Sequence, residues 1–322
     1  MKKEKASLAV KSKTWFRNEA YLWKRSFGKY HQLYLLLIPV ILNFVIFHYV
    51  PMGGIQIAFK DFKISEGVLG SAWIGWDHFE RFFGAYNFWT ILGNTLIISV
   101  LSLAFSFPLS ICLALVLNEI QNKKLNSTLQ TVFFVPHFIS TVVVVGMLQA
   151  FLSPETGIVN ILLMKLGIIQ EGIYFTRLEE YFRPMYIISG LWQNMGWNAA
   201  IYLSALTAID PELYDAASVD GANKWQQLTR ITLPCIWPTI VIQLILKCGH
   251  IMSVGYEKVL LMQTPTNESV SQIISTFVYE KGIVSQQYDY ATAIGLFNSV
   301  INLIVLLIVN RIARKRSDVS LW

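Results

Sequence analysis

Charge is scarce in this chain. Only 14% of its 322 residues are Asp, Glu, Lys or Arg, where soluble domains carry about 25%. That scarcity, with 54% hydrophobic residues and a mean hydropathy of +0.48, excludes an ordinary soluble fold. Cysteine is also rare. Cys112, Cys235 and Cys248 form no spaced pair, so no disulfide framework is implied, and Cys in an apolar block acts as a small hydrophobe. The histidines (His31, His48, His78, His137 and His250) lie scattered without ligand spacing. No G-x-x-x-x-G-K-[ST], H-E-x-x-H or G-x-S-x-G occurs, the patterns of phosphate cradling, zinc hydrolysis and acyl transfer. The expectation is a chain with no catalytic residue, metal or bound cofactor of its own.

What is present is apolar sequence in blocks. Six stand out, at about 33–50, 91–117, 131–152, 184–208, 238–262 and 291–310, each near the roughly 20 residues that cross a bilayer as helix. In lipid such segments satisfy their backbone hydrogen bonds only as helices. The expected fold is all-α and integral to the membrane, with six spans over 33–310 between a basic segment at 1–32 and a basic tail at 311–322. Lys and Arg are distributed unevenly: nine within 1–31, two in 121–128, two in 208–237 and four in the tail, against three, three and one in the intervening segments. That bias puts both termini and the 208–237 loop in the cytoplasm. The same distribution assigns the net charge of +6 to membrane orientation rather than to nucleic acid. Before the first span, Trp15, Phe16, Tyr21, Leu22, Trp23 and Phe27 interleave with Arg17, Lys24, Arg25 and Lys29. Two readings stand there, a helix lying among lipid headgroups and a solvated basic tail.

Within 208–237, Asp210-Pro211-Glu212 reads as a helix start: a capping side chain, proline at the first helical position, then an acid. Leu213, Ala216 and Ala217 make a small apolar face, and Asp220-Gly221 supplies a turn. A second short helix with Trp225 and Leu228 on one side is expected to end at Leu233-Pro234, just before the fifth span. Asp215-Ala216-Ala217, three residues, Gly221, nine residues, then Ile231-Thr232-Leu233-Pro234 resemble the EAA loop of binding-protein-dependent ABC transporter permeases, whose pattern is E-A-A-x3-G-x9-I-x-L-P. The departure is Asp215 where that family usually has Glu. In the family this loop is a coupling helix seated in a separate ATPase. The resemblance therefore implies that Asp215, Ala216, Ala217 and Gly221 dock, while Ile231, Leu233 and Pro234 anchor the loop to the membrane domain.

Residues 51–62 (PMGGIQIAFKDF), 76–83 (WDHFERFF) and 134–140 (FVPHFIS) are similar to carbohydrate permeases of the lipo-oligosaccharide and polysaccharide-uptake subfamily. That similarity implies a second, different permease, two ATPase subunits carrying the ATP and Mg, an extracellular solute-binding protein and an oligosaccharide substrate, moved by alternating access. Independently, Gln243, Lys247, His250 and Glu257 fall at offsets 0, 4, 7 and 14, within about 80° on a straight helix. Such a stripe offers donors and acceptors to sugar hydroxyls, or packs against the partner permease. Trp192, Gln193, Asn194, Trp197 and Asn198 of the fourth span suit the same substrate, and equally suit interfacial belts and helix–helix hydrogen bonding. An alternative is an ion- or proton-coupled transporter using Lys247, His250 and Glu257 as a relay; it requires paired repeats that the sequence does not display. A further alternative keeps the ABC permease and changes the solute to a non-sugar.

Overall fold

The computed structural model describes residues 29–317 and 319–321; the amphipathic stretch anticipated around 15–27 lies outside them. Among the described residues the protein is mostly helical, with one two-stranded ribbon. It divides into two compact units, one ending at Ile57 and taking in Lys63–Gly70, the other made of Ala58–Phe62 and Ser71–Trp322.

The first unit holds most of helix α1 (Lys29–Phe59), whose best window has a mean hydropathy of 2.2. Pro51 lacks an N–H, and the chain widens into a π turn over Val45–Tyr49 immediately before it.

In the second unit, β1 (Lys60–Asp61) pairs antiparallel with β2 (Ala72–Trp73) in the register Lys60↔Trp73. Helix α2 (Asp77–Phe83) follows. Helix α3 (Phe88–Glu119) is 32 residues long, about 48 Å at 1.5 Å per residue, more than a bilayer core. Helix α4 (Lys123–Phe138) and α5 (Thr141–Phe151) meet at 97°. The sequence argued for one span over 131–152 with Pro136 as a candidate kink; in the fold Pro136 closes α4 in a 3-10 turn and Ser140 caps α5 through Val143 N. The Ile139 carbonyl exposed by this bend is met by Gln193 Nε2 at 2.8 Å.

A short helix, α6 (Ile158–Lys165), is clamped by Asn160, whose amide nitrogen donates to the carbonyls of Leu152, Ser153 and Ile173 while its oxygen accepts from Ile173 N. Helix α7 (Glu179–Thr207) runs 29 residues along α3. Then come α8 (Pro211–Val219), α9 (Lys224–Cys248), α10 (Tyr256–Met262), α11 (Ile274–Tyr279) and α12 (Tyr288–Ser317).

Four of the described helices, α1, α3, α9 and α12, are long and apolar enough to cross a membrane; α4 and α5 make a fifth if the bent pair counts as one. Helix α7 has the length, but its amides and charged first turn dilute its hydropathy.

Packing comes in layers. Leu113, Leu117, Tyr202, Leu206, Ile236 and Ile240 form a core at the end carrying residues 208–237, called here the loop end. Ile98, Phe182, Val254, Val259 and Ile273 form a second core, and Phe82, Ile91, Met252, Phe277 and Ile294 a third. Outward from these, Leu303, Leu307 and Ile308 of α12 stay exposed, as lipid-facing side chains do. At Gly196 of α7 a Cβ would lie 2.2 Å from the Phe133 carbonyl oxygen, so only glycine lets α7 and α4 approach this closely.

Candidate docking loop and intramembrane polar pocket

Helix α8 is built as its sequence implies. Asp210 accepts from Glu212 N at 3.0 Å, satisfying one of the amides left open at a helix start. At its far end Asp220 N and Ala222 N return to the carbonyls of Ala216 and Ala217. Gly221 sits at φ +77° with nothing within 4 Å of a Cβ, so its glycine answers to backbone conformation, not crowding. Asn223 and Gln226 then form a reciprocal capping box that starts α9.

The hairpin presents an open face. Asp215 and Ala216 are exposed, as are Leu213, Val219 at 89% and Trp225 at 70%. Ala217 turns partly inward. Two side-chain bridges tie the inner edge to α9: Tyr214 Oη and Thr232 Oγ1 lie 2.9 Å apart, and Gln227 Nε2 donates to Ser218 Oγ at 2.9 Å. Neither bridge was anticipated from sequence, because a loop of polar residues gives no periodicity to announce its partners. The Lys224–Glu119 pair at 3.3 Å is solvent-exposed on both sides and worth little.

The expected break at Leu233-Pro234 does not occur. Helix α9 runs unbroken from Lys224 to Cys248. A π turn over Leu228–Thr232 makes Leu233 N bond Leu228 O, five residues back, and Thr232 Oγ1 donates to Gln227 O at 3.3 Å. The widened turn accommodates the carbonyl that proline cannot serve and the bulk of its ring. Ile231 and Leu233 are half-buried at this junction, while Pro234 is exposed.

The stripe expected on the fifth span is not a single stripe. The helix ends at Cys248, residues 249–252 form turns that lead into irregular backbone at 253–255, and α10 begins at Tyr256. Angles computed for one helix through residue 262 therefore fail for Glu257, which is exposed. Gly249 and Gly255, poor helix formers, stand at the two ends of the break. Lys247 remains within reach of the fourth span: its Nζ donates to Asn198 Oδ1 at 3.3 Å. Lys247 and His250 line a pocket of about 200 Å³ with Ser99, Ser102, Ser106, Tyr186 and Ser253. Gln243 is half-buried and lies outside that lining.

The amides of α7 divide by role. Gln193 supports the α4–α5 bend. Asn194 Oδ1 lies 3.0 Å from His137 Nδ1, and Trp197 stacks on the His137 ring at 4.6 Å and 6°. These three hold the turn at residues 135–138. Trp192 lines a separate apolar groove with Val144, Phe151 and Pro184. Sequence reasoning passed over Lys258, which is 8% exposed, donates to Tyr186 O at 2.9 Å and lies 4.7 Å from that ring's centre. A cation inside an anticipated span was the available signal.

Long apolar helices, an internal polar pocket and a capped, exposed hairpin define a multi-pass membrane transport component. The chain belongs to the binding-protein-dependent transport system inner membrane component family, whose model matches residues 106–318. It is 42% identical over 290 residues, 90% of each chain, to the polygalacturonan/rhamnogalacturonan transport system permease protein YteP of Bacillus subtilis (strain 168). It is 41% identical over 300 residues to protein LplB of the same strain, covering 93% of this chain and 94% of that one. A crystal structure of a bacterial ABC transporter importing the acidic polysaccharide alginate contains a chain that matches with a TM-score of 0.84 and 43% identity, over 92% of this chain and 99% of that one. A second alginate transporter structure, in complex with a periplasmic protein bound to alginate pentasaccharide, covers 93% of this chain and 99% of its own at 42% identity.

Proposed function

We propose that this protein is the membrane-spanning permease subunit of an ATP-driven importer for oligosaccharides or polysaccharide fragments. The observation that carries the proposal is the exposed, capped α8 hairpin, tied to the start of α9 by the Tyr214–Thr232 and Ser218–Gln227 bridges. Helix α8 acts as the coupling helix. Asp215, Ala216, Ala217 and Gly221 seat in a separate ATPase, and Ile231, Leu233 and Pro234 transmit its motion. Two ATPase subunits bind the ATP and Mg; this chain has no phosphate loop for either. The sugar reading draws on the long matches to the B. subtilis permeases and to the alginate importer. A second, different permease and an extracellular solute-binding protein complete the assembly.

In this reading there are six spans, with α7 as the fourth, stabilised by its neighbours despite its amides, and α4–α5 as a bent third. Both termini and the loop end face the cytoplasm, following the excess of Lys and Arg there. Segment 1–32 and the 311–322 tail flank the 33–310 permease domain. Closure of the ATPases draws the coupling helices together, and the bridged π turn passes that movement into α9, exchanging outward- and inward-open states.

Reconstitution of the complete assembly in vesicles tests the reading. Uptake of oligosaccharide is expected to require ATP and to persist when ion gradients are collapsed. Uptake by this chain alone, lost on collapse of a gradient, would establish the secondary-transporter alternative instead.

A further inference from the structure

We propose that the pocket around Lys247 is a carboxylate-binding subsite, and that Lys247 makes the membrane passage selective for acidic over neutral sugar chains. The inference rests on the sugar-import reading above and adds the substrate class.

The lining is one-sided in charge. Lys247 contributes an ammonium group, His250 an imidazole, Ser99, Ser102, Ser106 and Ser253 hydroxyls, and no Asp or Glu belongs to it. Lys247 forms no ion pair among the described residues; its recorded polar partner is the neutral Asn198 amide. Behind the pocket wall, Lys258 lies buried against Tyr186, bonded to a backbone carbonyl rather than a carboxylate. Lys258 thus contacts Tyr186, which lines the pocket together with Lys247, while Glu257, the nearest acid in sequence, is exposed and outside the lining. Charge held inside a membrane protein is costly and faces a cavity, a pathway or a partner, and a buried cation is stabilised when an opposite charge arrives. Neutral sugars answer the hydroxyls but not the charge. A carboxylate answers both.

A second observation comes from the same lining. Ser102 Oγ is buried and has no hydrogen-bond partner among the described residues, on a helix face where Ser99 and Ser106 sit one turn to either side. Buried hydroxyls are ordinarily satisfied, so Ser102 is a pocket residue with an unused hydroxyl. At about 200 Å³ the pocket is below the roughly 300 Å³ of a typical small-molecule site. It suits one unit of a chain in transit rather than a whole oligosaccharide.

The test is equilibrium binding to the full transporter complex in nanodiscs, without solute-binding protein, so that selectivity belongs to the membrane complex. The probes are a short oligouronide and its methyl-esterified, uncharged counterpart. Wild type is expected to bind the acid more tightly than the ester. Lys247→Gln is expected to weaken acid binding about tenfold or more, the scale of a lost charged hydrogen bond, and to change ester binding less than about twofold. Lys247→Arg keeps the preference. Ser102→Ala gives a smaller loss, again confined to the acid, and serves if Lys247→Gln does not assemble.

Equal affinity of wild type for both probes, no binding of either, or equal loss of both in the variants would overturn the inference. A pocket filled by a lipid phosphate produces the first of these results. The sugar-import reading fails on a different readout, the absence of ATP-driven uptake of any oligosaccharide by the complex.

Discussion

Gly196 shows how much of this molecule depends on single atoms. A methyl group there meets the Phe133 backbone oxygen at 2.2 Å, and backbone cannot swing aside as a side chain can. Gly196→Ala should therefore separate α7 from α4 and disturb the stacked His137 and Trp197 rings that hold the α4–α5 bend. A cost of roughly 1–3 kcal/mol is expected, measured as a lower thermal midpoint of the purified protein in detergent. An unchanged midpoint would mean that this contact does not constrain the helices. Lys247 and Ser102 belong to the same scale: Lys247 has an amide partner but no ion pair, and the Ser102 hydroxyl has no partner, among the described residues. Asn198, by contrast, is legible only through the structure: its spacing in the sequence marked it as one amide among several, and only the fold brings it to Lys247.

Among the elements, the α8 hairpin was the most legible in sequence and α9 the least. Asp210, Pro211 and Gly221 each act locally, through a cap, a preset φ and a tolerated positive φ, so their meaning survives without knowledge of the fold. The α9 region failed for the opposite reason. Hydropathy runs on through Gly249 and Gly255, and apolarity alone does not distinguish one helix from two joined by turns. Pro234 misled as well, because a π turn upstream absorbs a proline that rules of helix termination treat as a stop. The α4–α5 bend carries the same lesson: Pro136 marked a possible joint, but the 97° turn is held by Gln193, 54 residues later.

The hairpin also yields a prediction at this scale. Gly221→Asp forces an L-residue to φ +77° and adds a second carboxylate beside Asp220 on an exposed turn. The expected outcome is normal membrane insertion with uptake reduced at least about tenfold, in line with ~1.4 kcal/mol per decade. Normal uptake by that variant would argue against docking through this turn.

For the whole molecule, the proposed function has chemical energy entering at the loop end and acting at a pocket farther along the bundle. The proposed route follows contacts present in the fold: α8 to Tyr214 and Ser218, across to Thr232 and Gln227, through the π turn, and along α9 to Lys247. Helix α9 spans 25 residues, about 37 Å, so one continuous helix joins loop to pocket with no break until Cys248. Residues 249–255 separate its end from α10, which packs in the second core. The most direct measurement is site-specific photo-cross-linking from position 216 on the exposed face of α8, in native membranes. The account predicts an adduct between this chain and a separate ATPase subunit, with its yield altered by ATP. Adducts confined to the chain itself, or to lipid, would contradict it.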